Sequence, residues 1–303
     1  MKNKKLMAFL LTASFVLPLT ACKSEEAPSA PAETAAAEAS APAETAASDA
    51  ASEEASAGAE NSESAAPQTL KEGVLQVGME IGYPPMEYFD TDGTTPIGFD
   101  VAVAYALGEK LGLDVELVDT AWDGIFASLD TDKYDCIISS VSITPERLEN
   151  YNLTEPYVAN KLVMVTPKDS QLTSPEEVEG LTVAVQLETT ADYFMQDIAD
   201  SGVNFELAQY DKVINCFDEL KAGRTDAVLT DSVVASYYLG DDAASYKTAW
   251  ENSEGEPMGI CLKKGNDALT AAIEEAVDAI YEDGTMAEIA KTYFGSDITE
   301  GLR

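Results

Sequence analysis

KYDCIISSVSITPER, residues 133–147, joins a candidate buried strand to a candidate helix. Its first part, YDCIIS (134–139), is an apolar, β-rich run that predicts a buried strand. Thr144 is followed by Pro145, a pair that predicts a helix cap with proline at the first helical position. Arg147 would then lie in the first turn of that helix. A strand that leads directly into a helix is typical of an α/β fold.

Three serines, Ser139, Ser140 and Ser142, lie between this strand and this helix. Open α/β sheets bind ligands at the carboxyl ends of their strands, so these hydroxyls and Arg147 define a candidate ligand site. A guanidinium can hold a carboxylate with two parallel hydrogen bonds. The segment therefore offers groups suited to a carboxylate, although three serines alone indicate only a loop and a surface position is the usual alternative for Arg147.

Strand-like and helix-like segments alternate on both sides of this segment. Before it, VLQVGM (74–79) and DVELVD (114–119) predict strands, and GFDVAVAYALGEKLG (98–112) predicts the helix between them. After residue 160 the alternation begins again, with strands at LTVAVQ (181–186) and TDAVLTD (225–231). This alternation is typical of parallel sheets flanked by helices. Two such sets predict two lobes.

Seven motifs occur in order along the folded region. They are GFDVAVAYALGEKLG (98–112), WDGIFASL (122–129), KYDCIISSVSITPER (133–147), VAVQLETTADYF (183–194), LKAGRTDAVLTDS (220–232), EPMGICLKKG (256–265) and DGTMAEIAKTYFG (283–295). Together they resemble the family 3 extracellular solute-binding proteins, the amino-acid-binding components of ABC importers. The resemblance covers essentially all of residues 70–296.

The resemblance implies a two-lobed α/β fold of the periplasmic-binding-protein type II, with a hinge of two crossing strands. Lobe 1 would comprise residues 68–158 plus 254–303, and lobe 2 residues 159–253. The hinge would lie near Asn160 and Gly255. In such a fold the ligand binds in the cleft and the lobes close over it.

The resemblance also implies roles for residues of both lobes. Arg147 would bind the carboxylate of an amino acid, and Asp231 would bind its ammonium group. Thr189 and Thr190 open a predicted helix, whose N-terminus favours an anion. Helix capping is an alternative role for Thr189, Thr190 and Asp231. Glu188 stands where members of the family often have glycine.

Glu80, Tyr83 and Trp122 are the residues that we expect to select the ligand side chain. Tyr83 and Trp122 would sandwich it, and the Glu80 carboxylate would accept hydrogen bonds from a polar or cationic tip. This favours lysine, arginine, histidine or ornithine. Cystine and glutamine are compatible with the same acid, and plain core packing is an alternative for Trp122.

The N-terminus predicts a lipid anchor. Residues 1–22 resemble a bacterial lipoprotein signal peptide, with three lysines, an apolar run and a lipobox that ends in Cys22, the residue that would be acylated. Residues 23–67 are rich in Ala, Glu, Ser and Pro and contain no aromatic residue. This composition predicts a disordered tether. The folded part would therefore be extracytoplasmic and held at the cell membrane.

Charge and composition exclude several classes of function. Residues 68–303 carry 45 acidic and 14 basic side chains, which argues against binding to nucleic acid. The chain has no histidine, so it cannot use a Ser-His triad or histidine metal ligands. Cys136, Cys216 and Cys261 show no metal-binding spacing. We expect buried free thiols, with a Cys136–Cys261 disulfide as the alternative, and we expect no metal and no cofactor.

The sequence therefore predicts a non-enzymatic, monomeric receptor for polar amino acids. It would deliver its ligand to an ABC permease and the ATPase of that permease. The alternatives are an enzyme similar to cyclohexadienyl dehydratases, which resemble this family, and a ligand-sensing receptor that signals through a partner.

Overall fold

A computed structural model describes residues 67–303, apart from the side chains at positions 241 and 242. The predicted signal peptide at 1–22, its Cys22 and nearly all of the predicted tether at 23–67 lie outside the described residues. None of the helices within the described range is long and apolar enough to span a membrane.

The described chain alternates strands and helices, as the sequence predicts. The strands are β1 (Val74–Met79), β2 (Tyr88–Phe89), β3 (Pro96–Ile97), β4 (Asp114–Asp119), β5 (Cys136–Ile137), β6 (Tyr151–Leu153), β7 (Leu162–Pro167), β8 (Thr182–Gln186), β9 (Glu206–Tyr210), β10 (Ala227–Asp231), β11 (Tyr246–Glu251) and β12 (Cys261–Lys263). The helices are α1 (Phe99–Leu111), α2 (Trp122–Asp130), α3 (Pro145–Asn150), α4 (Thr190–Asp200), α5 (Val213–Lys221), α6 (Ser232–Asp242), α7 (Asp267–Glu282) and α8 (Thr285–Phe294).

The strands form two five-stranded sheets and one small hairpin within the described range. The first sheet has the order β4-β1-β5-β12-β6, and the second has the order β11-β7-β10-β8-β9. Strand β1 is parallel to β4 and β5, and β8 is parallel to β9 and β10, but β7, β11 and β12 pair antiparallel. The sheets are therefore mixed rather than parallel throughout. Strands β7 and β12 follow extended connections without a crossover helix, whereas β11 follows helix α6.

Two segments connect the first sheet to the second. The chain passes between the sheets after β6, and it returns after β11 to place β12 in the first sheet. The two connecting segments are hydrogen-bonded to each other: Met258 N donates to Val158 O at 3.1 Å, and Glu256 N donates to Asn160 O at 2.7 Å. These segments lie where the sequence predicts a hinge. The boundaries of the lobes at 158/159 and 253/254 stay a prediction.

Strand β5 is shorter than the sequence suggests, since only Cys136 and Ile137 of the predicted strand 134–139 form a ladder. On one side, the Asp135 carboxylate accepts from Leu70 N at 2.7 Å and from Gln76 N at 2.8 Å. On the other side, Ser140 adopts a left-handed conformation with φ of 51°, which a strand does not accommodate. Residues 139–142, which contain the three serines, therefore form a turn at the strand end, called the serine turn.

Cys136, Cys216 and Cys261, the cysteines within residues 67–303, are buried free thiols, as the sequence predicts. In the antiparallel pair of β5 and β12, Cys261 lies opposite Ile137, and Leu262 lies opposite Cys136. Because successive side chains of a strand point to opposite faces, Cys136 and Cys261 lie on different faces of the sheet. A disulfide between them would require the register to change, so the alternative is not observed.

Helix α1 packs closely on the sheet at Gly108. A Cβ atom at this position would lie 2.3 Å from Val115 Cγ2 and 3.0 Å from Leu113 O. Gly124, in α2, is also a helical glycine, but a Cβ atom there would meet nothing within 4 Å. A comparison of alanine substitutions at the two glycines therefore separates the effect of packing from that of helix propensity.

We expect Gly108→Ala to destabilise the protein by about 1–3 kcal/mol, because the added methyl group overfills the contact with β4. Gly124→Ala, the matched control, should stabilise it by about 0.5–1 kcal/mol through helix propensity. Urea titrations of both variants measure the difference. Equal effects of the two substitutions would contradict the close packing of α1 on β4.

Candidate functional site

A cavity of about 310 Å³ lies where strand ends and helix starts of both sheets meet. It contains every residue that the sequence predicts for ligand binding: Glu80, Tyr83, Trp122, Ser139, Ser140, Ser142, Arg147, Thr189, Thr190 and Asp231. Glu87 and Gln186 also line it, although the sequence analysis did not single them out.

Arg147 is a cation without an anionic partner. Thr144 caps α3 by accepting from Arg147 N at 3.2 Å, so the predicted cap is confirmed and Arg147 lies in the first turn. Its Nη1 donates to Ser142 O at 3.0 Å. Within residues 67–303 no carboxylate forms an ion pair with it, and burial lowers the pKa of the guanidinium. The site thus has an unused capacity to bind a carboxylate.

Two aromatic rings flank this guanidinium. Its central carbon lies 5.5 Å from the centroid of Trp122 and 5.1 Å from that of Phe126, distances suited to cation–π contact. The Trp122 ring packs with Phe126 in a hydrophobic cluster of the first sheet, and its Nε1 donates to Glu188 O at 3.0 Å. Trp122 therefore combines core packing with a place in the pocket wall.

Asp231 ends strand β10 and is held by two donors. Tyr83 Oη donates to Asp231 Oδ2 at 2.5 Å, and Asn160 Nδ2 donates to Asp231 Oδ1 at 2.5 Å. Burial raises the pKa of Asp231, and these two hydrogen bonds oppose the rise. The residue stands at the N-cap position of α6 but makes no capping bond with its side chain. Asn160 Oδ1 instead accepts from Ser232 N at 3.0 Å.

Glu80 is a buried carboxylate, with 2% of its surface exposed. Its Oε2 accepts from Gln186 Nε2 at 2.7 Å. Burial raises the pKa of Glu80 to about 7, while Gln186 and Lys212 act in the opposite direction. Gln186 is the last residue of β8. The strand-end argument that selected Asp231 could therefore have selected Gln186.

The serine turn is hydrogen-bonded to neighbouring residues of the protein. Ser139 Oγ accepts from Glu80 N at 3.1 Å and donates to Glu87 Oε1 at 2.6 Å. Ser140 N donates to the Asp100 carboxylate at 2.8 Å. The Ser142 carbonyl accepts from Arg147, as described above. The turn therefore positions its neighbours as well as lining the pocket.

The start of α4 has Glu188 at the position where the resemblance to family 3 binding proteins implies glycine. Glu188 has a φ of 59°, a left-handed conformation that glycine adopts without strain. In this chain Glu188 N donates to Asp192 Oδ2 at 2.9 Å. Thr189 caps the helix by accepting from Asp192 N at 3.3 Å. Capping thus accounts for the Thr189 hydroxyl, and Thr190 begins the helix at the pocket.

Glu256, in the returning segment, was not predicted from the sequence. Its Oε2 atom is buried without a hydrogen-bond partner among the described residues. Burial and the nearby Asp231 raise the pKa of Glu256 to about 7, against the effects of Thr190 and Arg147. It lines a wider cleft that adjoins the pocket at Trp122, Arg147 and Thr190.

The model for family 3 of the bacterial extracellular solute-binding proteins matches residues 75–296. The chain belongs to this family. The prediction of the family is therefore confirmed, and with it an extracytoplasmic location. The family's match begins at β1 and ends just after α8, so it covers both sheets.

Similar proteins are binding proteins for amino acids. The L-cystine-binding protein of Escherichia coli K12 is 30% identical over 232 residues, which are 76% of this chain and 86% of that protein. An ancestral arginine-binding protein bound to arginine is 35% identical, with a TM-score of 0.70, covering 74% of this chain and 99% of that chain.

A substrate-binding protein of an ABC uptake transporter from Streptococcus pneumoniae, solved with bound histidine, gives the same picture. It is 29% identical, with a TM-score of 0.70, covering 75% of this chain and 95% of that chain. The prediction of a two-lobed α/β binding-protein fold is confirmed by these likenesses.

The raised pKa of Glu80 predicts a pH dependence of stability. Because the folded-state pKa of about 7 exceeds the ordinary value of 4.5, folding becomes less favourable as the pH rises from about 4.5 to about 7. We expect Glu80→Gln to remove this loss, about 3 kcal/mol between pH 4.5 and pH 8. The glutamine carbonyl can still accept from Gln186.

Guanidinium chloride titrations at pH 5 and pH 8 measure this effect. Glu109→Gln, in an exposed part of α1, is the control and should leave the pH dependence of the wild type unchanged. A Glu80→Gln variant that loses as much stability as the wild type on going to pH 8 would refute the prediction.

Proposed function

We propose that the protein binds a polar amino acid between its two sheets and delivers it to an ABC permease. The observation that carries this proposal is that charged groups of both signs line one pocket. Arg147 has no anionic partner within the described chain, and the Asp231 carboxylate has no cationic one. A zwitterionic α-amino acid offers a carboxylate to the first and an ammonium group to the second.

The carboxylate of the ligand would bind at Arg147 and the start of α4. A guanidinium binds a carboxylate with two parallel hydrogen bonds, and such charge-assisted bonds are among the strongest in proteins. Thr190 is the first residue of α4 and lines the same pocket. A helix N-terminus adds partial positive charge. The guanidinium and the helix N-terminus thus both favour the carboxylate end of the ligand.

The ammonium group would bind at Asp231. Tyr83 and Asn160 fix the orientation of this carboxylate, each with a hydrogen bond of 2.5 Å. An ammonium group that binds there would stabilise the ionised form of Asp231, which burial disfavours. We therefore infer that ligand binding relieves the cost of burying this acid.

Glu80 and Trp122 would recognise the ligand side chain. Glu80 faces the pocket as a buried acid, and a cationic side chain would lower its raised pKa and hold it ionised. This supports lysine, arginine, histidine or ornithine as ligands, with cystine and glutamine as further candidates. The similarity to binding proteins for cystine, arginine and histidine supports the same set.

Capture would occur by closure of the two lobes. Three hydrogen bonds already join the first sheet's residues to those of the second: Tyr83 to Asp231, Gln186 to Glu80, and Trp122 to Glu188. We infer that these bonds break when the lobes open about the segments at Asn160 and Glu256. A ligand that touches both sides shifts the equilibrium to the closed form.

We propose no catalytic role for the pocket. Similar proteins are transport binding proteins, and the chain contains no histidine to act as a general base. The dehydratase alternative remains testable by a turnover assay with prephenate and arogenate. A sensing role would need a partner that reads out lobe closure.

We also propose that lipid on Cys22 anchors the protein and that residues 23–67 act as the tether. As a coil, about 45 residues span roughly 35–40 Å root-mean-square. That length would let a monomeric binding protein reach a permease and its ATPase in the same membrane. We expect Cys22→Ser to move the protein from the membrane fraction to the soluble fraction. Retention of this variant in the membrane would contradict the anchor.

A thermal-shift screen against the twenty amino acids, ornithine and cystine tests the proposed function. The protein is refolded first to remove any carried ligand. A ligand at 100 times its dissociation constant adds about 2.7 kcal/mol of stability. For a domain of this size the expected rise in Tm is about 5–10 °C. The absence of a shift with every compound would overturn the amino-acid proposal.

Arg147→Ala should weaken binding of the amino acid that gives the largest shift. The expected loss is about 2–5 kcal/mol, because a buried carboxylate would be left unpaired. Arg224→Ala is the control, since Arg224 is exposed and pairs with Glu219 outside the pocket. Titration calorimetry that gives the same affinity for the wild type and Arg147→Ala would rule out this role of Arg147.

A further inference from the structure

Glu87 is a fully buried acid at the wall of the pocket, with 0% of its surface exposed. Ser139 Oγ donates to its Oε1 at 2.6 Å. No donor of the described chain reaches its Oε2. A buried carboxylate with one oxygen unsatisfied is costly, so this group needs either a partner or a proton.

Asp100 lies against Glu87 and has a much richer set of donors. It is also fully buried, and it accepts from Tyr157 Oη at 2.9 Å and from Ser140 N at 2.8 Å. Asp100 N donates at 2.8 Å to the carbonyl of Met86, the residue before Glu87, and the charge of Asp100 raises the pKa of Glu87. No lysine or arginine of the described chain forms an ion pair with either carboxyl.

Two buried carboxylates in contact cannot both be ionised without a large electrostatic cost. If one of them holds a proton, the contact becomes a hydrogen bond. The donors decide which one it is: the oxygens of Asp100 already face an O–H and an N–H group, whereas Oε2 of Glu87 faces none. A proton on Glu87 would donate to Asp100 and satisfy both side chains.

We propose that Glu87 and Asp100 share one proton, held by Glu87, and that this pair positions the serine turn of the pocket. Burial and the adjacent Asp100 raise the pKa of Glu87 well above its ordinary value. Glu80 is the other acid that faces Glu87 and acts in the same direction. Burial also raises the pKa of Asp100 to about 6, and the bonds from Tyr157 and Ser140 oppose this rise.

The pair contacts the turn at two successive residues. Glu87 accepts from Ser139, whose Oγ in turn accepts from Glu80 N at 3.1 Å. Asp100 accepts from Ser140 N and so holds that residue in its left-handed conformation, with φ of 51°. Such a conformation persists only where surrounding contacts determine it. Glu87 and Asp100 are therefore positioning residues, and their effect on ligand rests on the proposed function.

Substitution by the isosteric amides distinguishes the two carboxyls without any ligand. In Glu87→Gln the amide nitrogen replaces the proposed O–H donor and the amide oxygen still accepts from Ser139, so the urea midpoint should be unchanged at pH 5. In Asp100→Asn the amide nitrogen would oppose existing donors, so the midpoint should fall at every pH. Glu87→Ala removes both bonds, so its urea midpoint should also fall.

The pH dependence gives a second readout. Because Glu87 would keep its proton in the folded state above its ordinary pKa of 4.5, rising pH should destabilise the wild type more than Glu87→Gln, in which Glu80 and Asp100 still titrate. The ratio of the two unfolding constants should therefore grow as the pH rises above 4.5, by at most about tenfold for each pH unit. Parallel pH profiles, or a tolerated Asp100→Asn with a damaged Glu87→Gln, would overturn the proposal.

Binding of L-arginine separates this inference from the proposed function. Glu87→Ala should bind L-arginine about tenfold or more weakly than Glu87→Gln, because the turn loses a buried hydrogen bond. If L-arginine does not bind the wild type, the unfolding data still decide where the proton lies. If L-arginine binds but Glu87→Gln behaves like Glu87→Ala, the shared proton is refuted while the proposed function stands.

Discussion

The buried guanidinium of Arg147 is the constraint around which the pocket is built. A charge removed from water without a partner is costly. Here the cost is limited by one carbonyl, two aromatic rings and the more distant Glu256 and Asp231 carboxylates, but no anion of the described chain forms an ion pair with the guanidinium. On the other side of the pocket stand Asp231 and Glu80, acids whose pKa values are raised by burial. The arrangement is incomplete in both signs of charge, and the proposed zwitterionic ligand would complete it.

The pocket is connected to the segments that join the two sheets. Asn160 binds Asp231 with its side chain and accepts from Glu256 N with its carbonyl, so the carboxylate that would hold the ligand is bonded directly to the connecting segments. On the first sheet, the Glu87 and Asp100 pair holds the serine turn in the same way. The residues proposed to bind the ligand, the connecting segments and the supporting acids are thus linked by hydrogen bonds. These links offer a way in which ligand binding and lobe closure can be coupled.

Local sequence patterns predicted the elements and the pocket, because strand-end positions and helix caps depend on neighbouring residues. The bounds of β1 and β4 agree with the patterns. Strand β5 was overestimated, since its end is decided by the contact between Ser140 and Asp100, 40 residues away. Glu87 and the contact of Asn160 with Asp231 were missed for the same reason, since their partners lie 52 and 71 residues away in the sequence. Gln186, by contrast, ends a strand and could have been selected by that local position. The glycine-like conformation of Glu188 is likewise fixed by its surroundings rather than by its residue type.

A crystal structure grown with the amino acid that gives the largest thermal shift would test the account most directly. The account predicts that both carboxylate oxygens of the ligand lie within hydrogen-bonding distance of the Arg147 guanidinium and that its ammonium group contacts Asp231. The serine turn should keep its bonds to Glu87 and Asp100. A ligand bound elsewhere, with Arg147 still bonded only to the Ser142 carbonyl, would contradict it.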